Sequence, residues 1–320
     1  MYGMRLKSLV KRVFWRSPYF FRIAVLYSRH LFIERRRVRK RISDSGIKLI
    51  SRDQLRSVKR TDTLFVLGSG SSINLISPSR WMTIRRYDSI GLNFWLFHDL
   101  VPTIYYFELV ESHETDLLRQ SIAAANKASS RYRATLKIVS EFHNGLLFLD
   151  GLSDEFRENL SAHLSVPAYI DNDVQLRTSI KLLKLCGIFG QQTAPHNLFK
   201  HAGSLSAVIS LAVKMNYRRI VLCGVDLTSP AYFYQDRALY PDVGSFQSSI
   251  PTAKHESIVP GLYRCAFPVA KIVAELKKEV LDPLGIEIYV ENRCSALYPN
   301  IPLAPDTLWK ALEVAEASRN

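Results

Sequence analysis

Gly68-Ser69-Gly70-Ser71-Ser72 closes the apolar run Thr63–Leu67 with the residue types that let a backbone approach an anion. The two glycines permit a tight turn with no Cβ in the way, and the hydroxyls and amides beside them can donate to phosphate oxygens. Such a stretch serves phosphate or nucleotide binding. Ile73 stands where the dinucleotide fingerprint has its third glycine, and the next strand, Asp88–Leu92, ends in Asn93 where a nicotinamide site carries an acid. The spacing points to a nucleotide site other than an ordinary NAD site, with a ligand-free tight turn as the alternative.

Other elements must bring further chemistry to the same edge. Residues 103–107 read as a third strand running into Glu108, and 114–128 as a polar helix of crossover length. Two more strands are expected at 136–140 and 146–149. Gly203-Ser204 leads into a helix over 207–216, and the apolar run Arg219–Cys223 ends in Gly224-Val225-Asp226. A helix over 266–280, a strand at 287–290 and a terminal helix at 305–317 complete the pattern. Strand, turn and helix in alternation predict an α/β fold: a doubly wound, mostly parallel, Rossmann-like sheet with ligands at the carboxyl ends of its strands. The expected organisation is a basic leader over 1–60, a nucleotide-binding body over 61–300 with a lid at about 228–262, and a C-terminal helix within 301–320.

Of 320 residues, 47% are hydrophobic, enough for a substantial core. The net charge of +14 is not spread evenly: residues 1–60 hold 18 Lys and Arg against three acids, and the other 260 hold 25 against 26. Aromatic and aliphatic residues from Phe14 to Phe32 alternate with Arg12, Arg16, Arg22 and Arg29, followed by the cluster from Arg35 to Arg41. This composition suits amphipathic helices at an anionic membrane surface; the alternative is a basic arm that packs on the body or binds RNA. No run reaches the roughly 18 uninterrupted apolar residues of a spanning helix, and arginines interrupt anything resembling a secretory signal. The four cysteines lack metal or redox spacing, so reduced thiols in the cytoplasm are expected. The acids and histidines likewise lack ligand spacing, and Asp171-Asn172-Asp173 lies away from the strand tips.

In order and spacing, Val66 to Ser72, Asp88 to Asn93 and Gly203-Ser204 through Asp226 resemble the bacterial sialyltransferases of glycosyltransferase family 42, the lipooligosaccharide type. The resemblance covers residues 62–300 discontinuously and leaves the leader out. It implies a CMP-sugar donor with Gly68, Ser69, Gly70, Ser71 and Ser72 along ribose and phosphate, and Asn93 on phosphate or ribose. Ser204, next to Gly203, would meet the sugar carboxylate, and Gly224, Val225 and Asp226 the cytidine end. Tyr232 and Tyr234 match tyrosines that cover the donor and touch its phosphate. Glu108 departs from the pattern, because the family has an asparagine there and a carboxylate beside a phosphate needs an intervening cation or hydroxyl. The resemblance further implies an inverting, metal-independent displacement with a histidine base; His255 is the match and His201 the competitor. His98, His113 and His143 are expected to be solvated.

The sequence thus predicts a glycosyltransferase at the cytoplasmic face of a membrane. It would move sialic acid or a related acidic sugar onto an oligosaccharide or lipid-linked glycan, with no cofactor beyond its CMP-sugar substrate. Self-association into a homo-oligomer stays open. The alternatives are another nucleotide-dependent transferase, such as a pyrophosphokinase-like enzyme, or a non-catalytic nucleotide- or RNA-binding protein.

Overall fold

The computed structural model describes residues 19–109, 115–140, 146–170, 172–201, 203–228, 231–243 and 268–317. Ten strands lie in this part of the chain: β1 (Lys48–Leu49), β2 (Thr63–Leu67), β3 (Asp88–Leu92), β4 (Ile104–Glu108), β5 (Leu136–Ser140), β6 (Leu160–Ala162), β7 (Leu164–Val166), β8 (Asn197–Phe199), β9 (Arg219–Cys223) and β10 (Glu287–Val290). Eight form one sheet in the order β1-β6-β5-β4-β3-β2-β9-β10, all pairs parallel. β7 and β8 form a separate parallel pair. From β2 the chain builds outward through β3, β4, β5 and β6, then returns to add β9 and β10 on the other side. The sheet is doubly wound, as expected, and its winding reverses between β2 and β9.

The strands form where the sequence is apolar on both alternating positions. All five residues of β2 are buried. Leu64 and Val66 point with Ile220 and Leu222 into one layer, packed by the helices Asp173–Leu185, Ser204–Lys214 and Val269–Leu276. Phe65 and Leu67 point with Val221 and Cys223 into the other, packed by Pro78–Ile84, Thr115–Lys127 and Asp306–Ala317. At the amino ends, one buried carboxylate joins three elements. Asp88 accepts from the Arg60 and Thr61 amides at 2.8 Å each and from the Tyr217 hydroxyl at 3.1 Å. Burial first, and then the Asp88 charge, raise the pKa of that tyrosine.

Several expectations are corrected. Residues 146–149 are helical, within Leu146–Asp150, because the free edge of β5 is taken by β6 and a short apolar run suits either conformation. The short helix after the Gly-Ser-Gly turn is borne out: it begins at Pro78 behind the Ser77 cap, after a five-residue 3₁₀ turn, Ser71–Leu75. His98 is buried rather than solvated. Its ring stacks 4.4 Å from Trp95 and 4.9 Å from Trp81, and its Nδ1 accepts from the Leu100 amide at 2.9 Å. Within Asp171-Asn172-Asp173, Asn172 caps a helix by accepting from the Gln175 amide, and Asp173 pairs with Lys271 at 3.0 Å.

The central strand tips touch directly. The Gly68 amide donates to the Cys223 carbonyl at 2.7 Å and the Gly70 amide to the Gly224 carbonyl at 2.8 Å. A Cβ on Gly68 would overlap the Gly224 carbonyl, and one on Gly224 would overlap the Ile73 side chain. Gly224 also has φ +64, the left-handed region that costs other L-residues about 1–2 kcal/mol. Gly224→Ala is therefore expected to lower stability by at least that amount, read as a shift in chemical denaturation midpoint with an unchanged slope.

Candidate functional site

The carboxyl ends of β2, β3, β4 and β9 face one edge and carry most of the residues singled out by type and spacing. The turn after β2 is held from β9. Asp226 is buried; its carboxylate accepts from the Ser72 amide at 2.9 Å and from the Ser72 hydroxyl. Its carbonyl accepts from the Ala296 amide at 2.7 Å, and the Val225 carbonyl from the Ser295 hydroxyl at 2.5 Å. Ser72 and Asp226 are thus engaged with each other, whereas Ser69, Gly70 and Ser71 are only half-buried on the edge.

Asn93 follows β3 in the left-handed region, with φ +47, a conformation asparagine tolerates better than most residues. Its carbonyl accepts from the Tyr105 hydroxyl. Its side-chain Oδ1 is buried with no hydrogen-bond partner among the described residues. The adjoining Phe94 packs edge-on against Tyr232 at 6.4 Å and Tyr234 at 5.8 Å between ring centres. Those two tyrosines stack on each other at 5.3 Å, only 7° from parallel. The segment carrying them is fastened to the glycine turn. Tyr232 bridges Gly70 in antiparallel fashion, the Phe233 amide donates to the Ser69 carbonyl at 3.0 Å, and the Asn74 side chain donates to the Phe233 carbonyl at 3.0 Å. Tyr234 is buried, and burial raises its pKa. Its hydroxyl is a neutral group at physiological pH.

Glu108 ends β4. The Ser204 hydroxyl donates to its Oε1 at 2.5 Å, and the Lys200 ammonium pairs with the same oxygen at 3.2 Å. Lys200 is the cation that a carboxylate on this edge requires. Its signal in the sequence was only a basic residue directly after the apolar β8 and beside His201. Ser204 opens the helix Ser204–Lys214, after Gly203 at φ +104. The approach to that helix is closed by Ser206, whose hydroxyl accepts from the His201 amide at 2.8 Å and donates to the His201 carbonyl at 2.9 Å. Burial brings the His201 pKa down to about 4, leaving a neutral imidazole at physiological pH. His255, the expected base, lies outside the described residues, as do His113, His143 and the lid from 244 onward.

The edge therefore groups Ser69, Gly70, Asn93, Tyr232 and Tyr234 on one side, and Glu108, Lys200 and Ser204 on the next strand over. Gly224, Val225 and Asp226 stand behind the turn. Asn74, Tyr105 and Lys200 complete the framework without having been singled out. A shallow recess of about 190 Å³ lined by Lys59, Arg60, Thr61 and Asp62 precedes β2 and so lies at the opposite, amino-terminal edge. Among the described residues, no three His, Cys, Asp or Glu side chains converge as a metal site would require.

Two measurements probe these placements. Lys200→Met leaves Glu108 without its cation, and Glu108→Gln in that background removes the unpaired charge. A double-mutant cycle in thermal or chemical unfolding should give a coupling of about 1 kcal/mol, modest because the carboxylate is partly exposed. His98, His196 and His201 each have a pKa lowered to about 4, in every case chiefly by burial. Above the ordinary value of 6.5 they are neutral in both folded and unfolded chains. As pH falls from there toward 4, the unfolded chain takes up protons that the folded one refuses, so stability is lost across that window. Melting temperatures across the window should fall, and His98→Gln should flatten the slope.

No protein-family model and no curated protein matches the sequence. Among solved structures, the chain is similar to the sialyltransferase CstII from Campylobacter jejuni, solved in complex with a substrate analogue, cytidine-5'-monophosphate. The match has 17% sequence identity and a TM-score of 0.37, and covers 76% of this chain and 85% of that one.

Proposed function

We propose that the protein is an inverting glycosyltransferase that uses a CMP-activated acidic sugar of the sialic acid class, with an oligosaccharide or lipid-linked glycan as acceptor. The observation that carries a ligand site is Asn93: a left-handed residue at the carboxyl end of β3, one strand away from the reversal of the sheet between β2 and β9, with a buried side-chain oxygen that no described group satisfies. Open α/β sheets bind ligands at that reversal, and a buried acceptor left unpaired costs about 1–3 kcal/mol unless a ligand donor fills it. A ribose hydroxyl is such a donor. The choice of CMP rather than another nucleotide rests on the likeness of the three sequence motifs to family 42.

In this reading Ser69, Gly70 and Ser71 approach ribose and phosphate, and Ser72 with Asp226 keeps their turn rigid. Gly224 and Val225 back the cytidine end. Tyr232 and Tyr234 form the aromatic wall over the donor, and the Tyr234 hydroxyl, held neutral, donates to the leaving phosphate. Gly203 and Ser204 stand at the sugar, where Lys200 offsets the Glu108 charge. The acceptor hydroxyl attacks the anomeric carbon and the bond from that carbon to the phosphate oxygen breaks, CMP leaving with the electron pair. The hydroxyl proton passes to a histidine base, for which His255 is the candidate; the competing His201 suits that role less, because burial brings its pKa down to about 4. Hydroxyls and tyrosines, rather than a divalent ion, carry the developing phosphate charge.

Thermal shift with CMP, UDP, ADP and NAD tests the donor side. CMP at about 100 times its Kd should stabilise by about 2.7 kcal/mol, and the others less. Asn93→Gly keeps the backbone conformation but removes the carboxamide, so it should weaken CMP about tenfold. CMP release from CMP-sialate in the presence of EDTA, with an oligosaccharide acceptor, tests the reaction. Turnover with a different nucleotide sugar, or only with magnesium and ATP, would replace this reading.

A further inference from the structure

The basic segment that precedes the central strands is packed along the α/β body and presents a mixed apolar and cationic ridge outward. Tyr19–Arg29 continues through a π-helical turn, His30–Glu34, into Arg35–Asp44. Its inner face is fixed. Ile23 and Ile42 are buried, the Tyr27 hydroxyl donates to the Pro167 carbonyl at 3.0 Å, and His30 Nε2 lies 2.9 Å from the Ser165 carbonyl. The outer ridge falls at helical spacing. Phe21, Val25, Phe32 and Ile33 are 57%, 41%, 64% and 46% exposed, and Arg36, Arg37 and Lys40 continue the same side.

Residues 19–44 hold eight Lys and Arg against two acids. One of those acids, Glu34, is shared between Arg29 at 3.5 Å and Arg37 at 3.6 Å, while Arg36 and Lys40 have no acidic partner among the described residues. Large apolar side chains held outward on a fixed helix, continuous with a surplus of cationic side chains, are costly in water. They match an interface whose interior is hydrocarbon and whose surface is anionic. A protein partner would need acids and an apolar groove in register over the whole ridge; a bilayer supplies both everywhere. Among the described residues no helix is long and apolar enough to cross a membrane, which is consistent with a helix lying in the interface.

The helix is also directed. The Tyr19 hydroxyl donates to the Gln175 carbonyl at 3.0 Å and meets the Ser179 hydroxyl at 2.7 Å, both beyond the carboxyl end of β7. Arg35 and Arg39 reach Asn197 and His196, at the amino end of β8. The end carrying Phe21 and Val25 therefore lies on the side where β8 leads into Lys200 and, through it, Glu108.

We infer that residues 19–44 dock this face onto an anionic phospholipid surface, with Phe21, Val25, Phe32 and Ile33 in the acyl boundary and Arg36, Arg37 and Lys40 against headgroup phosphates. The apolar end of the ridge brings the carboxyl edge of the sheet beside the bilayer. This inference stands on the ridge alone and does not require the transferase reading. The test is co-sedimentation of the full chain with phosphatidylcholine vesicles, with and without about a third of phosphatidylglycerol. Binding should need the anionic lipid and weaken with salt. Phe21→Ser with Phe32→Ser should reduce partition at least about tenfold. Arg36→Glu with Arg37→Glu should do the same. CMP thermal shift on each soluble variant reads the nucleotide site separately. Equal partition onto pure phosphatidylcholine, or unchanged partition in either variant, overturns the inference. So does a wild-type dimer in sedimentation velocity that the phenylalanine changes dissociate, because a second copy would then be the occupant.

Discussion

Backbone-to-backbone contact between the tips of β2 and β9 is the constraint from which the rest of the candidate site follows. With Gly68 against the Gly224 carbonyl and Gly70 against Asp226, neither tip has room for a side chain. The price of that closeness is a buried carboxylate, which Ser72 satisfies through its amide and hydroxyl. A turn fixed in this way leaves Ser69 and Gly70 at a set height above the sheet. The Tyr232-Phe233-Tyr234 segment can then hydrogen-bond back to it and stand as a wall. The glycines are required first by packing, and any approach to a ligand exploits a geometry that packing already imposes.

Charge on the edge is managed locally. Glu108 would repel a phosphate if it stood alone, and Lys200 with the Ser204 hydroxyl converts it into a nearly neutral, hydrogen-bonded group. The imidazole that follows Lys200 in the chain, His201, is neutral because it is buried, and the Tyr234 phenol is neutral for the same reason. Neutral donors, one compensated ion pair and an Asp226 carboxylate turned onto Ser72 leave an edge whose dipoles are already oriented by the fold. The Asn93 side-chain oxygen, buried and without a hydrogen-bond partner among the described residues, sits where β3 opens onto the same edge.

The basic front of the chain contributes to architecture as well as to surface charge. β1, Lys48–Leu49, pairs with β6 at the far margin of the sheet, and the preceding helix lies along β7 through tyrosine and histidine hydrogen bonds and reaches the start of β8 through Arg35 and Arg39. Because the helix runs back along those strands, its apolar and cationic ends have different positions relative to the nucleotide edge. The same docking that buries Ile23 and Ile42 commits Phe21, Val25, Phe32 and Ile33 to the outside.

The local code was legible wherever chemistry and packing demanded the same residues. Apolar runs ending in glycine marked β2 and β9, and the position of Asn93 marked the end of β3, because a strand buried on both faces tolerates only apolar residues until it emerges. Elements set by neighbours were not legible: 146–149 could be strand or helix until β6 occupied the β5 edge, and the short β1, β6, β7 and β8 had no periodicity to show. Nor could a sequence reveal that Asp226 would be taken by Ser72, that Lys200 would reach Glu108, or that Trp95 and Trp81 would enclose His98. Each of these contacts joins residues whose proximity, or whose burial, is created only when the sheet closes. Residue types and their order carried the α/β winding and the character of its carboxyl edge, whereas the pairing of charges along that edge and the facing of the amphipathic helix depended on long-range packing that no local pattern encodes.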